Sequence, residues 1–149
     1  MLSARLIRLI ESHHKQICDR ILRDISRQPE LTHLQRIPEI EVRERAQIIL
    51  EHLGDWLSGN ATEVEKKQEE VGQRRFEQTI PLHEAVRALC IMKYHVIEFV
   101  EEQGIPRDSL GLYAEEELEH RLGVFFDNMV IHLVRGYEAA WHRAARAAA

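Results

Sequence analysis

Between Leu118 and Trp141 the large apolar residues fall at Leu118, Leu122, Phe125, Phe126, Met129, Val130, Leu133, Val134, Tyr137 and Trp141. This three-and-four spacing paints one wide stripe down an α-helix. Only several partner helices can cover a stripe of that length, so it sets the fold class: an all-α bundle. The pattern begins near Asp108 and runs into closing alanines with no stop signal. A final helix of about 38 residues is therefore predicted, about 57 Å long at 1.5 Å per residue. A chain of 149 residues has no internal need for such a rod. Part of it is expected to protrude, to pair with a second copy, or to lead onward into another module.

Four further helices are predicted upstream. Leu2 to Gln28 carries Leu6, Leu9, Ile10, Ile17, Ile21 and Ile25 on one face, and Pro29 pushes Gln28 out of helical geometry. A linker reaches Ile37. Pro38, with Glu39 and Glu41 at the positive end of the dipole, starts a second helix to Leu57. Asn60 and Glu63 have the spacing of a capping box for a third, Ala61 to about Gln78. That helix is so polar that it should pack only a thin edge onto the bundle. Thr79-Ile80-Pro81 breaks it. The fourth helix, Leu82 to Gln103, is apolar over more than half its circumference and should be the most buried. Gly104-Ile105-Pro106 stops it, and Asp108 or Ser109 can cap the last. No alternating run bounded by turn residues occurs, so no strand is predicted.

The 44% hydrophobic content at this length suits one domain, residues 1–149, with a real core. The net charge of −5, with acids and bases interleaved, excludes the basic stripe that phosphate neutralisation needs, so no nucleic-acid partner is expected. No apolar run nears the roughly 20 residues that span a bilayer, and neither export nor membrane insertion is expected. Cys18 and Cys90 read as reduced, buried thiols of a cytoplasmic protein.

Nine histidines invite a metal reading. Glu11 with His14 and Glu117 with His120 repeat the spacing by which ferritin-like bundles hold iron. His120, however, falls on the side away from the apolar stripe, and no apolar face supplies the bridging glutamates. A haem held by His95 or His132 is the cofactor alternative. The simpler reading gives each of these histidines a hydrogen bond to a neighbouring helix, so no cofactor is expected. Lys93 interrupts the fourth helix's stripe, and either keeps its ammonium at the rim or pairs with an inward carboxylate such as Asp127. A catalytic lysine would have no partner. With no Gly-rich phosphate loop and no nucleophile elbow, an enzyme is not expected.

Two segments resemble a known family. Gly72-Gln-Arg-Arg75-Phe76 leading through Ile80-Pro81-Leu82-His83-Glu84-Ala85-Val86-Arg87-Ala88-Leu89, then Phe125-Phe126-Asp127 followed by Val134-Arg135-Gly136-Tyr137-Glu138, are similar to the N-terminal domain of the RsbRD-type stressosome co-antagonists. The resemblance implies a small, globin-like, dimer-forming input module of a bacterial regulator, passing a signal to a C-terminal output domain. A homodimer and relay set follows on the last helix: Phe125, Phe126, Asp127, Met129, Val130, Leu133, Arg135, Tyr137 and Trp141. Lys93, His95, Asp127, Asn128, His132 and Arg135 lie close to or between apolar positions of the last two helices, and alternative pairings among them are expected to let one helix slide on the other.

Overall fold

The computed structural model describes residues 2–104 and 107–149. All regular structure in them is helical: α1 (Leu2–Ser12), α2 (His14–Arg27), α3 (Glu39–Glu51), α4 (Leu53–Leu57), α5 (Thr62–Glu77), α6 (Leu82–Glu101) and α7 (Ser109–Ala148), with one 3-10 turn at Leu34–Arg36. The expected all-α bundle is present, and α7 is its axis. It touches α1, α4, α5 and α6, while α2 lies against α3 and α6. Leu118, Leu122, Phe125, Phe126, Met129, Leu133 and Tyr137 enter one contiguous core with residues of every other helix.

Two predicted helices are broken, each by side chains that compete for backbone groups. The first breaks at His13 (φ −107°, ψ 21°). There the Ser12 hydroxyl donates to the Leu9 carbonyl, the His13 ring lies 2.9 Å from the same oxygen, and the His14 ring lies 2.8 Å from that of Glu11. The second breaks at His52 (φ −123°, ψ 30°). The turn drops Leu53 into the core and frees the Gly54 amide to donate to the Glu11 carboxylate at 3.0 Å.

The predicted linker is a plug. Leu31, Leu34 and Ile37 are buried, and the plug is tied down by Glu84 at the start of α6. That carboxylate, 1% exposed, accepts from the amides of His33 and Leu34 at 3.1 and 3.2 Å and faces the His33 ring at 2.6 Å. Burial alone would raise its pKa; the hydrogen bonds from Leu34 and His33 outweigh burial and hold it below the usual range.

Asn60 does not cap α5, whose N-cap is Ala61 with no side-chain hydrogen bond. Asp108 does cap α7, accepting from the Gly111 amide at 2.7 Å. The Gly104-Ile105-Pro106 stop includes Ile105 and Pro106, which lie outside the described residues, but Gly104 takes φ +63°, the left-handed state glycine allows. Thr79 takes φ +60° without that freedom. Its amide donates to Phe76 and that of Ile80 to Arg75, so α5 closes in a Schellman turn with a β-branched residue where glycine is usual.

The main correction concerns α5, which is no thin edge. Its pairing with α7 is the most extensive between helices in the described chain. The polar helix achieves this through two glycines. A Cβ on Gly72 would lie 2.2 Å from the Leu133 carbonyl oxygen, and one on Gly136 would lie 2.1 Å from that of Glu69. Backbone rests on backbone, leaving room for hydrogen alone.

Gly123, also within α7, has nothing within 4 Å of a hypothetical Cβ and serves as a control. Gly72→Ala or Gly136→Ala is expected to destabilise by about 2–3 kcal/mol or more, lowering Tm by about 5–10 °C. Gly123→Ala is expected to stabilise by about 0.5–1 kcal/mol. Thermal melts of the three variants check this; equal behaviour would contradict the close contact.

Candidate functional site

The glycine contact brings the polar side chains of α5 onto α7 and builds a polar joint between them. His132 Nε2 faces Glu65 and its Nδ1 faces Glu69, both at 2.6 Å. The ring thus bridges two carboxylates one turn apart on α5. About two turns beyond Gly136 along α7, Arg143 donates to Gln73 at 2.9 Å. The buried Tyr137 hydroxyl donates to the Ile80 carbonyl at 2.9 Å, fastening α7 to the α5–α6 turn. Burial pushes its phenol up to about 12.

The same turn holds a charged knot. The buried Arg75 donates to Glu41 at 2.9 Å and to Gln78 at 2.8 Å, and Arg74 also binds Glu41. Hydrogen bonding from Arg74, opposed by burial and reinforced by Arg75, holds Glu41 down at about 2.

The residues expected to act together on α6 and α7 are not gathered. Asp127, Asn128 and Arg135 are exposed, and Lys93 is half-buried with no ion pair to a described residue, Asp127 included. The helix turns each of the three away from the core that Phe126 and Met129 fill. His95 and His132 are instead tied to different helices: His95 Nε2 meets Asp24 of α2 at 2.8 Å. Polar coupling therefore runs from α7 to α5 and from α6 to α2. Sequence reading did not single out Glu65 or Glu69, placed Glu41 only at a helix start, and quoted the two glycines only within the resemblance, without a contact role. The one signal was an isolated glycine inside each of two helical patterns, which marks a packing requirement.

Within the expected dimer and relay set, Phe125, Phe126, Met129, Leu133 and Tyr137 are buried in the chain's own core. The stripe is thus not surplus surface, because α5 and α6 cover it. Val130 is half-buried, and Asp127, Arg135 and Trp141 are exposed.

As haem ligands, His95 and His132 would each have to leave a carboxylate. His95 lines a polar groove with Arg20, Arg23, Asp24, Arg27 and Glu98, not an apolar slot fit for a porphyrin. The Glu-x-x-His pairs do not converge: Glu11 holds the Gly54 amide, His14 faces Glu51 at 3.1 Å, and Glu117 and His120 are exposed. Cys18 is buried, its thiol pushed up to about 11 chiefly by burial, but Cys90 is exposed on the outer side of α6. No described helix is long and apolar enough to cross a membrane.

The charged knot has a measurable signature. A carboxylate held below its ordinary 4.5 stabilises the fold fully above that value and loses the contribution as pH falls towards about 2. Glu41→Gln is expected to be less stable at pH 7 and to lose less stability than the parent between these limits. Urea melts across this range check it, and parallel acid limbs would contradict the assignment.

Comparison with curated proteins and with solved structures gives no match. A family model, the RsbT co-antagonist protein rsbRD N-terminal domain, matches residues 15–149, a span that takes in α2 after its first residue, α3 to α7 and every residue of the polar joint. The chain therefore belongs to the RsbT co-antagonist rsbRD N-terminal domain family, a stressosome-related signalling family.

Proposed function

We propose that this chain is a non-catalytic, cytoplasmic signal-input and dimerisation domain of a bacterial regulator. In this reading it pairs with a second copy along α7 and passes changes through that helix to an output domain or a downstream regulatory protein. One observation carries the proposal. Besides the stripe buried in the bundle, α7 has a second, outward face on which Leu110, Tyr113, Val124, Ile131 and Trp141 are exposed and Val134 is half-buried. Their positions alternate by three and four with Glu117, His120, Asp127 and Glu138, the 3.5-residue period of a coiled-coil seam. A helix of 40 residues, about 60 Å long, supports transmission because a shift at one end is a shift at the other.

The exposed members of the expected dimer set, Asp127, Arg135 and Trp141, lie on or beside this face, with Asp127 as a polar register-setting position. The core members act from behind, by fixing how α7 sits on α5 and α6. The alternative, a haem-holding sensor, requires His95 or His132 to exchange a carboxylate for iron; a Soret band from the purified chain would favour it.

Light scattering at micromolar concentration is expected to give twice the chain mass. Val124→Glu and Ile131→Glu, at positions 49% and 48% exposed, are expected to weaken pairing about tenfold or more each, as loss of roughly 1.4 kcal/mol of apolar burial implies, with helical circular dichroism unchanged. A monomeric parent chain would overturn the proposal.

A further inference from the structure

A small cavity lies where α3, α5, α6 and α7 meet, with a volume of about 50 Å³. One water-sized group takes roughly 10–15 Å³ on this measure, so there is room for about three to five. Leu89 and Met92 of α6 and Leu133 of α7 form its apolar wall, and Arg45 of α3 with Gln68 and Arg75 of α5 line it with polar groups.

The polar groups are not matched to one another. Arg75 is engaged by Glu41 and Gln78. Gln68 is only 6% exposed; its amide makes no hydrogen bond to a described residue, and its polar atoms remain open to water rather than sealed. Arg45 has no carboxylate within ion-pair distance among the described residues. Two guanidinium groups also stand against the single carboxylate of Glu41. Their mutual repulsion shows in Arg75, which burial first, and then the charges of Arg45 and Arg74, pull below the usual arginine value.

We infer that this cavity binds a short monocarboxylate of acetate or propionate size, its oxygens on Gln68 and Arg45 and its alkyl end against Leu89, Met92 and Leu133. Water satisfies the amide but leaves the excess positive charge, and on the apolar side it lacks the two to four polar partners a buried water takes. An inorganic anion neutralises the charge but presses charged oxygens onto the apolar wall. A carboxylate is charged at one end only and offers two acceptors there, the geometry a guanidinium binds best. A longer acid overfills the space. The ligand would touch Gln68 of α5 and Leu133 of α7, and it is the Leu133 carbonyl on which Gly72 rests. That occupancy is a signal rests on the input reading above; the binding itself does not.

The test is a titration of the purified chain with sodium propionate at constant ionic strength, following the methyl resonances of Leu89, Met92 and Leu133. Propionamide, of the same shape without charge, and inorganic phosphate serve as controls. Saturable shifts with propionate alone are expected, with affinity at least tenfold weaker in Arg45→Gln and in Gln68→Leu. Arg45 is half-buried on the cavity's rim, so its variant decides the matter should Gln68→Leu fail to fold. No saturable shift, an equal response to propionamide or phosphate, or undiminished affinity in Arg45→Gln would overturn the site. A monomer that binds propionate refutes the input reading and leaves this site standing, whereas a dimer blind to propionate does the reverse.

Discussion

The seating of Gly72 on Gly136 is the constraint that orders the rest of this structure. α5 is too polar to be held by the hydrophobic effect in the manner of α6. Among its residues Val64, Val71 and the half-buried Phe76 are the large apolar ones that reach the core. Close backbone approach replaces area with density, since dispersion contacts are individually small and gather only where atoms pack without gaps. It also sets the reach of every side chain on the two helices. Glu65 and Glu69 arrive at His132, Gln73 at Arg143, and the C-terminal turn of α5 at the Tyr137 hydroxyl. A Cβ at either glycine would hold the helices apart and stretch all of these at once.

Buried polar groups do the specifying elsewhere as well. Glu84 fixes where the plug between α2 and α3 inserts, and Arg75 with Glu41 fixes how α3 meets the end of α5. Ion pairs of this kind add little net stability, because desolvation offsets much of their attraction. Their effect is to make wrong registers expensive. The segments that carry the family resemblance contain Gly72, Arg75, Glu84, Gly136 and Tyr137. In the folded chain these are a contact glycine, a buried cation, a buried anion, the other contact glycine and the hydroxyl that ties the α5–α6 turn. In this chain these five residues hold helices together.

Large apolar stripes were readable from spacing alone, which is why α6 and α7 fall where periodicity places them and why the fold class follows from one helix. Proline placed the stops at Gln28 and Thr79. The break at His52 was not legible, because the Gly54 amide meets the Glu11 carboxylate only in the folded chain; that at His13 rests on local bonds of Ser12, His13 and His14 to carbonyls three and four residues back, which apolar periodicity does not register. The role of α5 was misjudged for a related reason: hydropathy measures how much area a helix can bury, and the α5–α7 contact depends on how near two backbones come. The residues expected to form a dimer and relay set divide on the same ground. Periodicity separates an apolar face from a polar one, but it does not reveal that Leu133 meets α5 while Ile131, two residues earlier, faces outward. Partners distant in sequence, such as His132 with Glu65 and Glu69, leave no trace in local pattern.

A domain built this way has two apolar faces on one long helix, an inner face covered by α5 and α6 and an outer face on which Leu110, Tyr113, Val124, Ile131 and Trp141 are exposed. Any change in how α5 sits on α7 must pass through the glycine contact, so the central claim is that α5 is as firmly part of the folded unit as α7. Native-state amide hydrogen exchange tests this most directly, because it assigns an opening free energy to each segment. The amides of Val71 to Phe76 are expected to exchange only through global unfolding, in the same slow class as those of Met129 to Ala140. If the α5 amides opened independently, orders of magnitude faster than those of α7, the helix would be a loosely attached edge and the glycine contact would not be what the structure depends on.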